Sequence, residues 1–173
     1  VFIILFIIVL VIFSIGIYDV FFKKDIPEQI DDSFSITDTI NTDKIFEITS
    51  NNYTNILDAV TNDLNSYIGC KIHFIGFIYR LIDFKSDEFV LARNMIVNES
   101  TGQSVVVGFL CKYMNATDFP DNTWVDVTGI IQKGDYYGDI PIIEIKDITK
   151  CAEPNDKYVH VPDKNYIPTN GLI

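Results

Sequence analysis

Apolar residues run without interruption at the start of the chain. VFIILFIIVLVIFSIGIYDVFF carries no charge before Asp19, and the stretch through Phe22 is long enough to cross a hydrocarbon layer of roughly 30 Å at about 1.5 Å per helical residue. The pattern predicts a transmembrane helix over residues 1–22; the basic n-region and small-residue cleavage site of a secretory leader are not evident. The pattern then empties. Over residues 23–52 Asp, Ser, Thr and Asn displace large apolar side chains, and between Asp25 and Asp63 nine acids stand against Lys44 alone. That composition predicts an acidic polar linker, solvated and repelled by an anionic surface.

Helical spacing follows in YTNILDAVTNDLNSYIG. Tyr53, Ile56, Leu57, Val60, Leu64, Tyr67 and Ile68 fall on one stripe, Ser50, Asn51 or Asn52 can cap the start, and Gly69 suits the stop, so one short amphipathic helix is predicted. Beyond Gly69 the period shortens to two. Five runs rich in β-branched and aromatic residues, Lys71–Arg80, Glu88–Val97, Ser104–Tyr113, Thr123–Lys133 and Pro141–Lys150, are separated by turn-forming clusters. Val125, Val127 and Ile131 alternate with Asp126, Thr128 and Ile130, and Ile143 and Ile145 with Glu144 and Lys146, which predicts half-buried antiparallel strands. Closing such a sheet removes its edges. Gly76 offers the bend a first barrel strand needs, Gly129 a bulge, and Asn115–Asn122 lies where an OB-fold carries a helix, though it is too short for a good one. The expectation is a mainly β protein, a five-stranded OB-like antiparallel barrel preceded by a helix over residues 53–162, with a tail over 163–173.

Charge narrows the function. The 173 residues carry a formal charge of −11, which removes the basic surface that nucleic-acid binding draws on, so no nucleic-acid partner is expected. Cys70, Cys111 and Cys151 form no CxxC pair, His73 and His160 have no ligand-spaced companions, and no Gly-rich phosphate loop, Ser-His-Asp order or HExxH occurs. Neither a catalytic site, a metal nor a cofactor is predicted.

The order of residues after the helix resembles a known family. Tyr67, Gly69, Lys71, Gly76, Phe77, Tyr79 and Arg80, then Phe89, Ala92, Arg93 and Gly108, then Trp124, Val125, Val127, Gly129, Ile131, Tyr137, Pro141, Ile143 and Ile145, and finally Pro154, Tyr158 and Val159 are similar in identity and order to the DUF1980 or YcgQ-like bacterial membrane proteins. The likeness covers roughly Asn52 to Val161. It implies an OB-like domain carried on membrane helices and a non-enzymatic accessory role beside an integral-membrane permease as partner. The Cys-Cys pair typical of the family after the second arginine is absent here, where Asn98–Ser104 stands instead. The Lys23-Lys24 pair after the apolar run votes for a cytoplasmic domain by the positive-inside rule. Analogy with the family's last membrane span places the domain on the outer face, and that placement is the expectation.

Two arginines are the sharpest candidates for a site. Arg80 and Arg93 close aromatic-rich runs, and on neighbouring strands they could grip a carboxylate or phosphate in bidentate fashion, with Tyr79, Phe84 and Phe89 as walls. The competing reading pairs each with Asp83, Asp87, Glu88 or a backbone carbonyl, as fixtures of the sheet, and nearby acids favour it. Asp135, Tyr136, Tyr137 and Asp139 form a polar aromatic hairpin tip where an OB-fold has a binding loop. The ligand-binding candidates are therefore Tyr79, Arg80, Arg93 and Tyr137.

Overall fold

The computed structural model describes residues 45–166. The expected transmembrane helix over 1–22 and most of the expected linker lie outside them; among the described residues no helix is long and apolar enough to cross a membrane. In chain order the elements are β1 (Ile45–Ile48), α1 (Tyr53–Asn62), α2 (Leu64–Tyr67), β2 (Lys71–Tyr79), β3 (Glu88–Asn98), β4 (Gln103–Lys112), a 3-10 turn (Ala116–Asp118), β5 (Trp124–Asp135), β6 (Asp139–Lys150) and β7 (Tyr158–His160).

The five runs with a period of two become β2 to β6. Neighbours pair in the order β2-β5-β6-β4-β3, and β3 returns to β2, so the sheet closes into a barrel. Four of the five seams are antiparallel, as expected; the fifth, β4 with β6, is parallel. Two reversals separate β4 from β6, so the chain re-enters alongside β4 in its original direction. Alternation decides what fills the interior. Ile72 and Phe74 from β2, Phe89 and Leu91 from β3, and Val125, Val127 and Ile131 from β5 are buried, while the intervening His73, Asp126 and Thr128 reach the surface. The β5–β6 register shifts between Thr128 and Gly129, the bulge foreshadowed by that glycine.

The seam between β2 and β3 explains the additional elements. These strands pair only over Tyr79–Phe77 and Val90–Ala92 before they diverge. At the divergence a Cβ on Gly76 would lie 2.8 Å from the Ala92 carbonyl oxygen, so only glycine lets the two backbones come this close. Two short strands occupy the freed edges in parallel: β1 against Lys71–Phe74 of β2, and β7 against Asn94–Ile96 of β3. β1 falls within the stretch expected to be linker. Ile45-Phe46-Glu47-Ile48 is rich in apolar residues, and the open edge of β2 gives that segment a partner.

α1 wedges into the same opening. The Tyr53 hydroxyl donates to the Leu91 carbonyl at 2.9 Å, the Thr54 hydroxyl to the His160 carbonyl at 2.6 Å, and Ile56 and Val60 enter the core. Tyr53, Phe74 and Phe109 stack mutually with centroids 5.7–6.5 Å apart, and truncating Phe74 to alanine would cost about 3–5 kcal/mol. The expected single helix is broken at Asp63, whose backbone (φ −134°, ψ 56°) is not helical; α2 completes the turn and Gly69, at φ +85°, ends it. Asn52 does not cap α1 with its side chain: the amide accepts from Thr49 N–H and donates to the Glu47 carbonyl, tying the helix start to β1.

Candidate functional site

Arg80 leaves β2 and enters the long β2–β3 loop. Its Nη1 lies 2.5 Å from Asp121 Oδ1, and Nη2 donates to the carbonyls of Ala116 (2.6 Å) and Phe119 (2.9 Å). Its guanidinium also stands 5.7 Å from the Phe89 ring centroid. The partners differ from the nearby acids favoured by sequence proximity. Arg80 reaches across to the β4–β5 connection, where the Ala116 carbonyl already accepts from Phe119 N–H and the guanidinium adds a second donor to it and one to the Phe119 carbonyl.

Arg93, on β3, is 4% exposed. Its Nη1 donates to the Asp156 carbonyl at 3.0 Å, and its guanidinium lies 5.1 Å from the Trp124 ring centroid, which in turn packs edge-on against Phe77. It holds the segment between β6 and β7 against the barrel. Burial pulls its guanidinium below the usual arginine range against the opposing pull of Tyr53, Asp156 and Cys151. The Nε atom is buried with no hydrogen-bond partner among the described residues.

The two arginines thus serve different parts of the fold. Tyr79 is exposed at the end of β2, and Tyr137 sits at the tip of the β5–β6 hairpin. What the structure brings together is the hairpin tip and the β2–β3 loop. The Tyr136 hydroxyl donates to Asp83 Oδ2 at 2.9 Å, its ring meets Phe84 edge-on at 5.4 Å, and Tyr137 packs on Tyr136 at 4.9 Å. Burial first, then the hydrogen bond and charge of Asp83, push the Tyr136 phenol up to about 12, so it remains a donor at any ordinary pH. The β4–β5 connection joins through Arg80 and through Tyr113 N–H, which donates to the Asp87 carbonyl at 2.9 Å. The β2–β3 loop is thereby tied both to the hairpin tip and to the β4–β5 connection.

Ile82 (99% exposed), Tyr137 (90%) and Met114 (89%) lie on those loops, and the next most exposed large apolar residue, Val161, reaches only 57%. Sequence reading passed over Ile82 and Met114. The available signal was a large apolar side chain at the polar boundary of each of two turn segments, beside Asp83 and Asn115.

His73 has a role its spacing did not suggest. Nδ1 is 2.6 Å from Glu47 Oε2 on β1 and Nε2 is 2.6 Å from Asp126 Oδ1 on β5. A neutral imidazole has one N–H and cannot donate to both, so the arrangement requires imidazolium. Burial, the largest single influence, lowers the pKa of the ring, but the two hydrogen bonds and the two negative charges together raise it. Glu88, nearly buried, accepts from Lys85 N–H and pairs with Lys85 and Lys112 at 3.4 Å each; burial opposes its ionisation, yet these contacts hold it below the usual carboxylate range. Cys70 and Cys111 are buried, and burial pushes the Cys111 thiol up to about 12; Cys151 is half-buried. Among the described residues no group of three or more His, Cys, Asp or Glu side chains is placed to hold a metal ion.

The sequence profile described as the DUF1980 C-terminal domain matches residues 27–161. The chain belongs to this family. It is 22% identical over 121 residues to the UPF0703 protein YcgQ of Bacillus subtilis, covering 68% of this chain and 42% of that protein. It is 25% identical over 117 residues to a Streptococcus mutans protein named "Putative two-component membrane permease complex subunit", covering 66% and 42%. The chain therefore matches less than half the length of either relative. Among solved structures it is similar to the N-terminal domain of PriB from Thermoanaerobacter tencongensis (13% identity, TM-score 0.33, 48% of this chain and 97% of that one). It is also similar to the S. cerevisiae mitochondrial single-stranded DNA binding protein Rim1 (16%, TM-score 0.31, 46% and 90%). At these scores the likeness says nothing of what this chain binds.

Proposed function

We propose that this DUF1980 domain is a non-enzymatic accessory module of a membrane permease complex: an OB-like barrel, carried by the apolar segment at 1–22 and displayed on the outer face, that works by binding a protein partner. The observation that carries this reading is the commitment of Arg80. The strongest ligand candidate in the sequence spends its guanidinium on Asp121, Ala116 and Phe119, stabilising a loop surface. The permease partner comes from the name of the streptococcal relative, a subunit of a two-component complex.

A second reading, a small-anion sensor using Arg93 with Arg80, draws on the unpartnered Nε of Arg93. An oligonucleotide-binding role is disfavoured by the charge of −11.

Affinity capture of the full chain from its native membranes, followed by mass spectrometry, tests the proposal. Recovery of one multi-span membrane protein in near-equal amount is expected, and recovery of none would sink the reading. Cysteine placed at exposed Ser86 tests the side of the membrane: an impermeant thiol reagent should label it on intact cells, against the background from Cys151.

A further inference from the structure

The three most exposed large apolar side chains of the described residues, Ile82, Met114 and Tyr137, stand on three different loops, and the β2–β3 loop that carries Ile82 is tied to each of the other two. Isolated exposed apolar residues are ordinary; their concentration on linked loops is not. Tyr137 adds a second observation. Its φ of +57° lies in the left-handed region, where a non-glycine residue costs about 1 kcal/mol, and its neighbour Gly138 shows that glycine is available to this turn. A tyrosine kept at such a position, with its side chain in solvent, costs stability in the free protein.

We propose that this loop end is the docking surface of the domain, and that its partner is a protein presenting an apolar recess ringed by lysine or arginine. The inference rests on the partner-binding reading above and adds the place and the chemistry. Charge selects the partner. Over residues 79–87, 113–122 and 134–139 six aspartates stand against Arg80 and Lys85; Arg80 is paired with Asp121 and Lys133 with Asp139, which leaves Asp83, Asp87, Asp118 and Asp135 without an ion pair to a base among the described residues of that rim. An anionic bilayer surface repels such a rim, whereas a basic-rimmed protein surface attracts it and receives the three apolar tips. The bonds from Arg80 and Tyr136 hold the loops in place before contact, so little conformational entropy is lost on docking.

The test uses the full chain in its own membranes, with a photo-crosslinking residue placed singly at Ile82, Met114 or Tyr137, or at exposed Gln103, the first residue of β4, as control. Adducts to one integral membrane protein are expected from the first three positions and not from Gln103. Their yield should fall about threefold or more between 0.05 and 0.5 M salt, and similarly on Asp118→Lys with Asp135→Lys. Adducts from Gln103 alone would overturn the surface and leave the complex standing. Adducts to lipid alone, or a yield indifferent to salt and charge reversal, would overturn the stated partner. No adduct at any position together with no co-purifying protein would overturn both.

Discussion

Tyr136 donates its phenolic proton to Asp83 at 2.9 Å, joining a hairpin tip to a loop 53 residues earlier in the chain. Because the bond lies near the surface, Tyr136→Phe should lower stability by only about 0.5–1 kcal/mol. Its larger effect should be local. Amide exchange in residues 81–86 and 136–138 should quicken several-fold while the core strands keep their protection, and unchanged loop exchange would remove this bond from the account.

Arg80 should behave as a fixture. Removing it takes the guanidinium donors from the carbonyls of Phe119 and Ala116, of which Ala116 keeps the Phe119 N–H, and leaves Asp121 unpaired, so Arg80→Ala should destabilise by about 1–2 kcal/mol in urea titrations. Arg80→Lys should recover less than half of that, because one ammonium cannot serve three acceptors spread around a planar fork. A neutral Arg80→Ala with loss of anion binding in calorimetry would instead favour the anion-sensor reading.

His73 gives the domain a pH dependence of definite sign. The pKa of the ring is raised in the folded state by Glu47 and Asp126, the acids on the strands either side; the nearest base on its own strand is Lys71. Its contribution is therefore complete below the ordinary histidine value of about 6.5 and is lost as pH rises through the raised folded value. Exchange protection of β1, corrected for intrinsic rate, should fall across that window while β3 and β4 are unchanged. His73→Gln should abolish the difference. An imidazole that NMR shows to titrate at or below its ordinary value would contradict the clamp.

The barrel was legible because the period of two is strong in five runs, and their ends differ from the observed strands by two residues at most. The bulge at Gly129 and the tight approach at Gly76 were legible for a steric reason: no other residue fits. The parallel seam between β4 and β6 and the strands β1 and β7 were not. The seam is set by how the barrel closes, and the two strands depend on edges that exist only once β2 and β3 diverge, with four or three residues too few to show a periodicity. The same holds for side-chain partners. Arg80 bonds residues 36 to 41 positions away and His73 bonds Asp126, 53 away, choices set by the barrel's closure and not by sequence proximity.

Tyr137 should show a trade between stability and binding. Tyr137→Gly or Tyr137→Asn relieves the left-handed backbone and should hold or raise stability by up to about 1 kcal/mol while weakening capture of the partner. A thermal scan with parallel capture separates the two. A destabilised variant would mean that the tyrosine is there for packing on Tyr136.

The central claim is that the domain works through its loop end. It is tested most directly by the amount of membrane partner retained by the Ile82→Asp, Tyr137→Asp double variant relative to wild type, at equal expression and with melting temperatures within about 3 °C. The account predicts at least a tenfold loss, the equivalent of about 1.4 kcal/mol for two apolar anchors. Full retention by the folded double variant would contradict it.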